Sequence, residues 1–387
     1  MFRNEIIIAG IGESDIGKVP ELSGLGLNAQ ATKRALDDAG MKLSDIDGLV
    51  TGYSMTEPYF MLGSVLAEYL GLKPRFCASL TVGGATPAVS LHHAAMAIVT
   101  GQANAVLVTA GENRATGQTR DAAVQALTQV SHPYFENLYG PLIPSFYAMV
   151  ARRYIYEYGI TREEIAQVAV QSRDHAVRHP ASPMTERITV DDVLNSKPIA
   201  EPLNMLDCCL ISDSAGAFIV TSADRAEGLR VPPAWLLGIG EYHTHEHVTM
   251  APSLSRFGTV ESGQAAYKMA GLGPEDIDFA ELYDCFSIVP IIEAEELGLA
   301  ERGGGGELFT SGAASIEGRM PINTHGGMLS FAQAGGSGGI HAIVEGVRQL
   351  RGNLGERQVK KHETVLVHNE GGILSSHCTM VFANQRR

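Results

Sequence analysis

The sequence predicts an α/β protein made of two copies of one βαβαβαββ-type unit. Three observations carry that reading: the chain repeats itself in order, its strand-like segments are almost continuous Val, Ile and Leu, and glycine turns lead from strand into helix. "IAGIGES" from Ile8 recurs as "LLGIGEY" from Leu236, an offset of 228. "AGMKLSDIDGLV" from Ala39 matches "AGLGPEDIDFAE" from Ala270 at an offset of 231. "GGATPAVSLHHAAMAIVTG" from Gly83 matches "GGSGGIHAIVEGVRQLRG" from Gly335 at 252, and "AVLVTAGE" from Ala105 echoes "TVLVHNEG" from Thr364 at 259. Ordered matches with slowly growing offsets mark an internal repeat. Near-continuous apolar runs are what a sheet covered on both faces requires.

Each copy reads strand, helix, strand, glycine turn, helix, strand. "IIIAGIGE" opens the first copy as a strand, and the helix that follows stops at Gly40, a glycine placed to close it in the left-handed conformation. Residues 1–230 form the first half and 231–387 the second, with an insertion over about 112–230. Inside the insertion, Thr161 and Glu164 make a capping box that starts the helix "REEIAQVAVQSRDHAVRH". The preceding stretch is aromatic and broken by proline; Tyr134, Phe135, Tyr139, Phe146 and Tyr147 suit the wall of a pocket for a bulky group.

Composition limits the partners. The 387 residues are 45% hydrophobic and 19% charged, so core material is ample. With 29 basic against 43 acidic side chains the net charge is −14, which argues against a nucleic-acid partner. Five cysteines, two of them adjacent at Cys208 and Cys209, make no disulfide framework and fit a reducing compartment. The N-terminus reads as a strand rather than a signal peptide, "NQRR" carries no targeting or lipid signal, and no apolar run spans a membrane; a cytoplasmic location is expected.

Five further stretches, in order, resemble the thiolase superfamily, and its sterol-carrier-type members in particular. They are "YEYGITREEIAQVAVQSRDHAVRHPAS", "EPLNMLDCCLISDSAGAFIV" (with Ser214 where glycine is usual), "ELYDCFS", "INTHGGMLSFAQAGGSGG" and "HNEGGILSSHCTMV". The resemblance spans nearly the whole chain. It implies a thiolase fold, with the two units stacked in five αβαβα layers and the helices after Gly84 and Gly336 side by side at a pseudo-twofold. It also implies a dimer, paired through an edge strand close to "ANAVLVTAGE".

The departures are chemical. The family's acylated cysteine falls on Gly84, its "HDCF" histidine on Tyr283 and its "GHP" histidine on Gln333. The C-terminal loop, where some thiolases carry a second cysteine, has Ser375, Ser376 and His377, with Cys378 beyond. What survives is main chain: Gly84, Gly371 and Gly372, together with Asn323, are the candidates to cradle a thioester oxyanion. The resemblance includes retro-aldolases that pair with a small zinc-ribbon/OB-fold protein and use tyrosines where thiolases use histidines. Retro-aldol cleavage needs a base and an oxyanion site but no covalent intermediate. On that reading Tyr283 accepts or relays the proton and Asp284 orients it. Gln333 donates to an enolate but shuttles no proton, and His325 and His377 are the titratable groups nearby at neutral pH. A packing role is the alternative for each.

Three activities therefore stay open. The first is aldol or retro-aldol chemistry on an acyl-CoA, with coenzyme A present only as part of the substrate and no bound cofactor or metal. This enzyme would be a homodimer, within a heterotetramer if the small partner joins. The second is acyl transfer through Cys77, Cys285 or Cys378. The third is non-catalytic binding of acyl-CoA or lipid. His243, His245 and His247 in "YHTHEHV" alternate as on one strand face but lack accompanying Asp, Glu or Cys, so they read as a solvated or interface strand.

Overall fold

The computed structural model describes residues 3–387. The first copy supplies strands β1 (Ile6–Glu13), β2 (Gly48–Thr51), β3 (Phe76–Ser79) and β4 (Ala105–Asn113), with helices α1 (Gly24–Ala39), α2 (Leu62–Leu70) and α3 (Thr86–Val99). The insertion contributes α4 (Arg120–Leu127), α5 (Ile143–Tyr158), α6 (Arg162–Arg178), α7 (Val190–Leu194) and the short hairpin β5 (Pro198–Ala200) and β6 (Leu203–Asn204). The chain re-enters the first sheet at β7 (Asp213–Ser222). The second copy has β8 (Ala234–His243), α8 (Thr259–Ala270), β9 (Phe279–Glu281), α9 (Val289–Glu296), α10 (Gly305–Thr310), α11 (Gly327–Ser330), α12 (Ile340–Leu350), β10 (Thr364–Gly371) and β11 (Ser376–Ala383).

The strand order β3-β2-β4-β7-β1-β8-β11-β10-β9 displays the duplication. Outward from the middle, β1-β7-β4-β2 corresponds to β8-β11-β10-β9: two antiparallel pairings, then a parallel one. A parallel bridge from Ala280 to Ile322 stands where β3 stands in the first half. The halves join through two antiparallel pairs, Ile7 with Trp235 and Ile8 with Ala234, as a twofold relating β1 to β8 demands.

Side-chain alternation along the strands builds the layers. Leu107 and Ile219 face outward onto α1 and α2, whereas Val106, Val108 and Val220 face inward onto α3. The same inward core takes α12 with Val365, Val367 and Met380 from the second half. Leu366 and Val381 face the other way, onto a core shared by α8, α9 and the insertion helices α5 and α6. The fivefold layering thus follows, with α3 and α12 in the middle. α12 begins at Ile340, because Gly335–Ser337 form a separate 3₁₀ turn.

The local signals act as read. Ser23 Oγ accepts from Gly26 N to start α1, and Gly40 ends it at φ 71°. Thr161 and Glu164 cap α6 reciprocally. One expectation is located and one corrected. The segment "ANAVLVTAGE" lies inside the sheet, between β2 and β7, and the edge strand close to it is β3, on the far side of β2. β8 ends at His243, so the alternation read through His245 and His247 stops there, and His247 instead packs edge-on against His132 of the insertion, 4.8 Å between ring centres. Among the described residues no helix is long and apolar enough to cross a membrane.

Candidate active site

Two glycine turns meet main chain to main chain where α3 begins. Gly83 adopts φ +55°, and a Cβ on it would lie 2.7 Å from Gly372 N. A Cβ on Gly371 would lie 2.0 Å from Val82 O. No side chain fits between the strand–helix turn of the first half and the β10–β11 loop of the second. The surface these turns present is therefore backbone, as an oxyanion cradle requires.

Gly84 explains the missing nucleophile. A Cβ there would stand 1.9 Å from Tyr283 Oη, 2.2 Å from Tyr283 Cζ and 2.6 Å from Glu370 O. The phenol of Tyr283 fills the room that a side chain at this helix start would need. Tyr283 is 5% exposed, and its backbone N–H donates to Glu293 Oε2 at 2.9 Å, which fixes the ring from α9. Burial, then the charges of Cys285 and Glu370, push its hydroxyl well above the ordinary tyrosine range, while a hydrogen bond from Gln333 acts the other way. At neutral pH the Tyr283 hydroxyl therefore keeps its proton.

Behind Tyr283 lies Glu370, a fully buried carboxyl at the end of β10. Tyr147 of α5 donates its O–H to Oε1, the Cys285 thiol lies 3.4 Å from the same oxygen, and Leu374 N donates to Oε2 at 3.1 Å. Burial pushes the carboxyl up to about 7, and those three donors hold it from going higher. Glu370 was not singled out from the sequence. The signal was there: a lone acid in the apolar run "TVLVHNEGG", directly before the glycine pair. Of the insertion aromatics, Tyr147 and Phe146 are buried, and Tyr147 stacks on Phe286 at 4.5 Å. Tyr134, Phe135 and Tyr139 are exposed.

The remaining candidates divide between this centre and its supports. Gln333 sits beside Tyr283 and is anchored by its main chain: its N donates to Ser212 Oγ at 2.8 Å and its O accepts from Ser212 N at 3.0 Å. Asp284 does not orient Tyr283. It accepts from Met328 N at 2.7 Å and Leu329 N at 3.3 Å, bracing the turn after Gly327, and burial raises it to about 6. Asn323, at φ 55°, accepts from Leu282 N through Oδ1 at 2.7 Å, so its carboxamide oxygen pins the end of β9. His325 Nδ1 lies 3.0 Å from Glu281 Oε2; burial opposes its charge, but Glu281, Glu345 and Asp284 outweigh that and raise it.

His377 is a correction. Burial lowers it to about 4, and its ring meets Leu374 O at 3.0 Å, Thr259 at 3.1 Å and His368 at 3.3 Å. It is a neutral brace for the glycine loop, not a group titrating near neutral pH.

The family profiles agree with this architecture: "Thiolase, N-terminal domain" matches residues 6–224 and "Thiolase C-terminal domain-like" matches 240–384. The chain belongs to the thiolase family. Among thiolase-family proteins it is similar to an acetyl-CoA acetyltransferase of Methanothermobacter thermautotrophicus, 32% identical over 98% of this chain and 99% of that one. It is 37% identical to a steroid side-chain-cleaving aldolase of Thermomonospora curvata, over 89% of this chain and 90% of the relative. The solved Ltp2-ChsH2(DUF35) aldolase superposes with a TM-score of 0.88 at 33% identity, covering 100% of this chain and 99% of the matched one.

Acyl transfer in a thiolase needs a thiolate. All five thiols here are raised instead, chiefly by burial: Cys208 and Cys209 to about 12, Cys285 and Cys378 well above the free value, and Cys77 upward. Cys77 is on the exposed edge strand β3, and Cys378 points into the central core with α3 and α12. Among the described residues no group of three or more His, Cys, Asp or Glu side chains is placed to hold a metal ion.

Proposed function

We propose that this enzyme makes or breaks a carbon–carbon bond in a β-hydroxyacyl-CoA by aldol chemistry, with no acyl-enzyme. The observation that carries the reading is the Tyr283 hydroxyl in the space above Gly84, where a thiolase nucleophile would have to stand. In the cleavage direction the β-hydroxyl proton leaves, the Cα–Cβ bond breaks to give a carbonyl product, and its electron pair moves onto the thioester oxygen. The enolate then takes a proton at Cα. Tyr283 handles the hydroxyl proton, and the main chain at Gly84 and Gly371–Gly372 faces the thioester oxygen. Gln333 lends a donor. Asn323 and Asp284 hold the turns that shape this space; His325 and His377 support it from behind.

The 37% identity to a steroid side-chain-cleaving aldolase and the 0.88 superposition on the Ltp2-ChsH2(DUF35) aldolase support the same class. By that analogy a DUF35-type protein joins this chain. The sequence reading adds that the partner is a small zinc-ribbon/OB-fold protein, that the chain is a cytoplasmic homodimer, and that its two thiolase halves divide at about residue 230. The free edge of β3, with Cys77 and Ser79 exposed, is the natural dimer seam. Acetyl transfer is the second reading, favoured by the 32% identical acetyltransferase.

Turnover of a panel of β-hydroxyacyl- and β-ketoacyl-CoA esters, with and without a DUF35-type partner, separates the two. Aldol cleavage releases a free carbonyl compound and a shortened acyl-CoA without consuming CoA. Intact-mass spectrometry after acid quench should show no acyl adduct. A stoichiometric adduct mapped to Cys77, Cys285 or Cys378 would establish acyl transfer instead.

A further inference from the structure

The aldol reading requires the Tyr283 hydroxyl over Gly84, yet the strand that leads to it is slight. β9 has three residues and stands last in the sheet order, laddered to β10 at Phe279, Ala280 and Glu281. On its other side a single bridge joins Ala280 to Ile322. Glu281 closes the strand, two residues before Tyr283, and its carboxyl is fully buried.

We propose that Glu281 is the positioning residue of Tyr283. By holding the Thr324–His325 turn to the end of β9, it sets where the Tyr283 hydroxyl stands over Gly84. The kinetic side of the proposal rests on the aldol reading above; the packing side stands on contacts alone.

Glu281 Oε1 accepts from Thr324 N at 3.1 Å and from Thr324 Oγ1 at 2.8 Å, and Oε2 lies 3.0 Å from His325 Nδ1. A buried carboxyl is costly unless its oxygens are met, and these are met by the turn. The turn in its place is anchored twice. Thr324 Oγ1 lies 3.0 Å from Glu345 Oε1 and accepts from Gln349 Nε2 at 3.1 Å, both on α12. The main-chain oxygen of Asn323 meets His175 Nδ1 of α6 at 3.0 Å. α12 shares the central core with α3, which starts just past Gly84. Glu281 thus connects the Tyr283 loop to the helix layer that carries the facing glycine turn. Leu282 N, donating to Asn323 Oδ1 at 2.7 Å, fastens the same turn to the residue next to Tyr283.

Two readouts test this. In steady-state cleavage of a β-hydroxyacyl-CoA, Glu281→Ala should lower kcat about 10²-fold with little change in KM, as for a reacting group displaced by about 1 Å. Glu281→Gln keeps an acceptor for Thr324 and offers a donor to His325, so it should recover most of that loss. The second readout needs no substrate. With Glu281 cut back the Tyr283 ring can give way, so Gly84→Ala should destabilise the Glu281→Ala protein less than it destabilises wild type, in urea unfolding of the four proteins. A residue that only adds stability elsewhere would give costs that sum. Summing costs overturn the assignment, as does an unchanged kcat in Glu281→Ala or a Glu281→Gln enzyme no better than Glu281→Ala. Should Glu281→Ala fail to fold, Thr324→Val, which loses the hydroxyl and keeps the backbone donor, replaces it in both measurements. Wild type that cleaves no ester of the panel, with or without a DUF35-type partner, removes the aldol reading, and the unfolding cycle then decides the position of Tyr283 by itself.

Discussion

Placing a methyl at Gly84 tests the central contact of this structure. Gly84 is absent from the residues with positive φ, so alanine meets no backbone penalty there and the whole effect comes from space. The new Cβ would overlap Tyr283 Oη at 1.9 Å, Tyr283 Cζ at 2.2 Å and Glu370 O at 2.6 Å, where ordinary contact is well over 3 Å. None of these is the free end of a flexible chain: two belong to a buried ring and one to main chain. Overpacking of this kind costs about 1–3 kcal/mol, and three rigid contacts place Gly84→Ala at the upper end. The ring must also shift by something near 1 Å, which for a reacting group costs about 10²-fold in turnover. A double-mutant cycle isolates the contact. In a Tyr283→Ala background two of the three collisions vanish, so the cost of Gly84→Ala should fall by about 2 kcal/mol. Urea unfolding of the four proteins measures this directly. Equal costs in the two backgrounds, or a neutral Gly84→Ala in wild type, would refute the claim that Tyr283 fills the nucleophile's place. For the same reason Gly84→Cys should destabilise the protein without creating a thiolase.

Tyr283→Phe keeps the ring and removes the proton; kcat for aldol cleavage should fall about 10²–10⁴-fold with little change in CoA-ester affinity, read from steady-state kinetics and binding. Asp284→Ala leaves Met328 N and Leu329 N without their buried acceptor and should cost about 2 kcal/mol or more in urea unfolding, with Asp284→Asn milder. His377 makes the fold acid-sensitive. Its folded value of about 4 lies below the unfolded 6.5, so between those values the unfolded chain binds a proton that the folded chain refuses, and stability falls as pH falls. Between pH 7 and pH 5 this amounts to about 2 kcal/mol, and His377→Gln should flatten unfolding curves across that range by that amount.

The fold was legible because duplication and layering are written in apolar spacing. Val106 and Leu107, or Val365 and Leu366, face opposite sides by strand geometry alone, and the ordered repeats fix which strands correspond. Capping signals at Gly40, Thr161 and Glu164 act over a few residues and were equally plain. Sheet order is a long-range property, and so the sequence placed an edge near β4 without showing that β3 is the strand that forms it. The site was legible only by position. Tyr283 could be matched to a thiolase histidine, but its distance from Gly84 depends on a turn nearly 200 residues earlier in the chain. His377 looked titratable because sequence shows a side chain and not its burial. Glu370 escaped notice because a carboxylate in an apolar strand has no local pattern; only the fold brings it to Tyr147 and Cys285.

Gly84 and Tyr283 are best understood as one change. In a thiolase the reacting atom sits at the start of a central helix, where the aligned N–H groups favour a thiolate. On the aldol reading proposed above, that position is vacated and the Tyr283 hydroxyl arrives there from the facing loop. An anion is no longer wanted at the helix start, because a raised phenol is most useful while protonated. The enolate oxygen is the charge that needs those amides instead. On that proposed reading, a glycine at the helix start with Tyr283 facing it leaves the helix start and the glycine loop one task, holding a thioester oxygen while a carbon–carbon bond breaks.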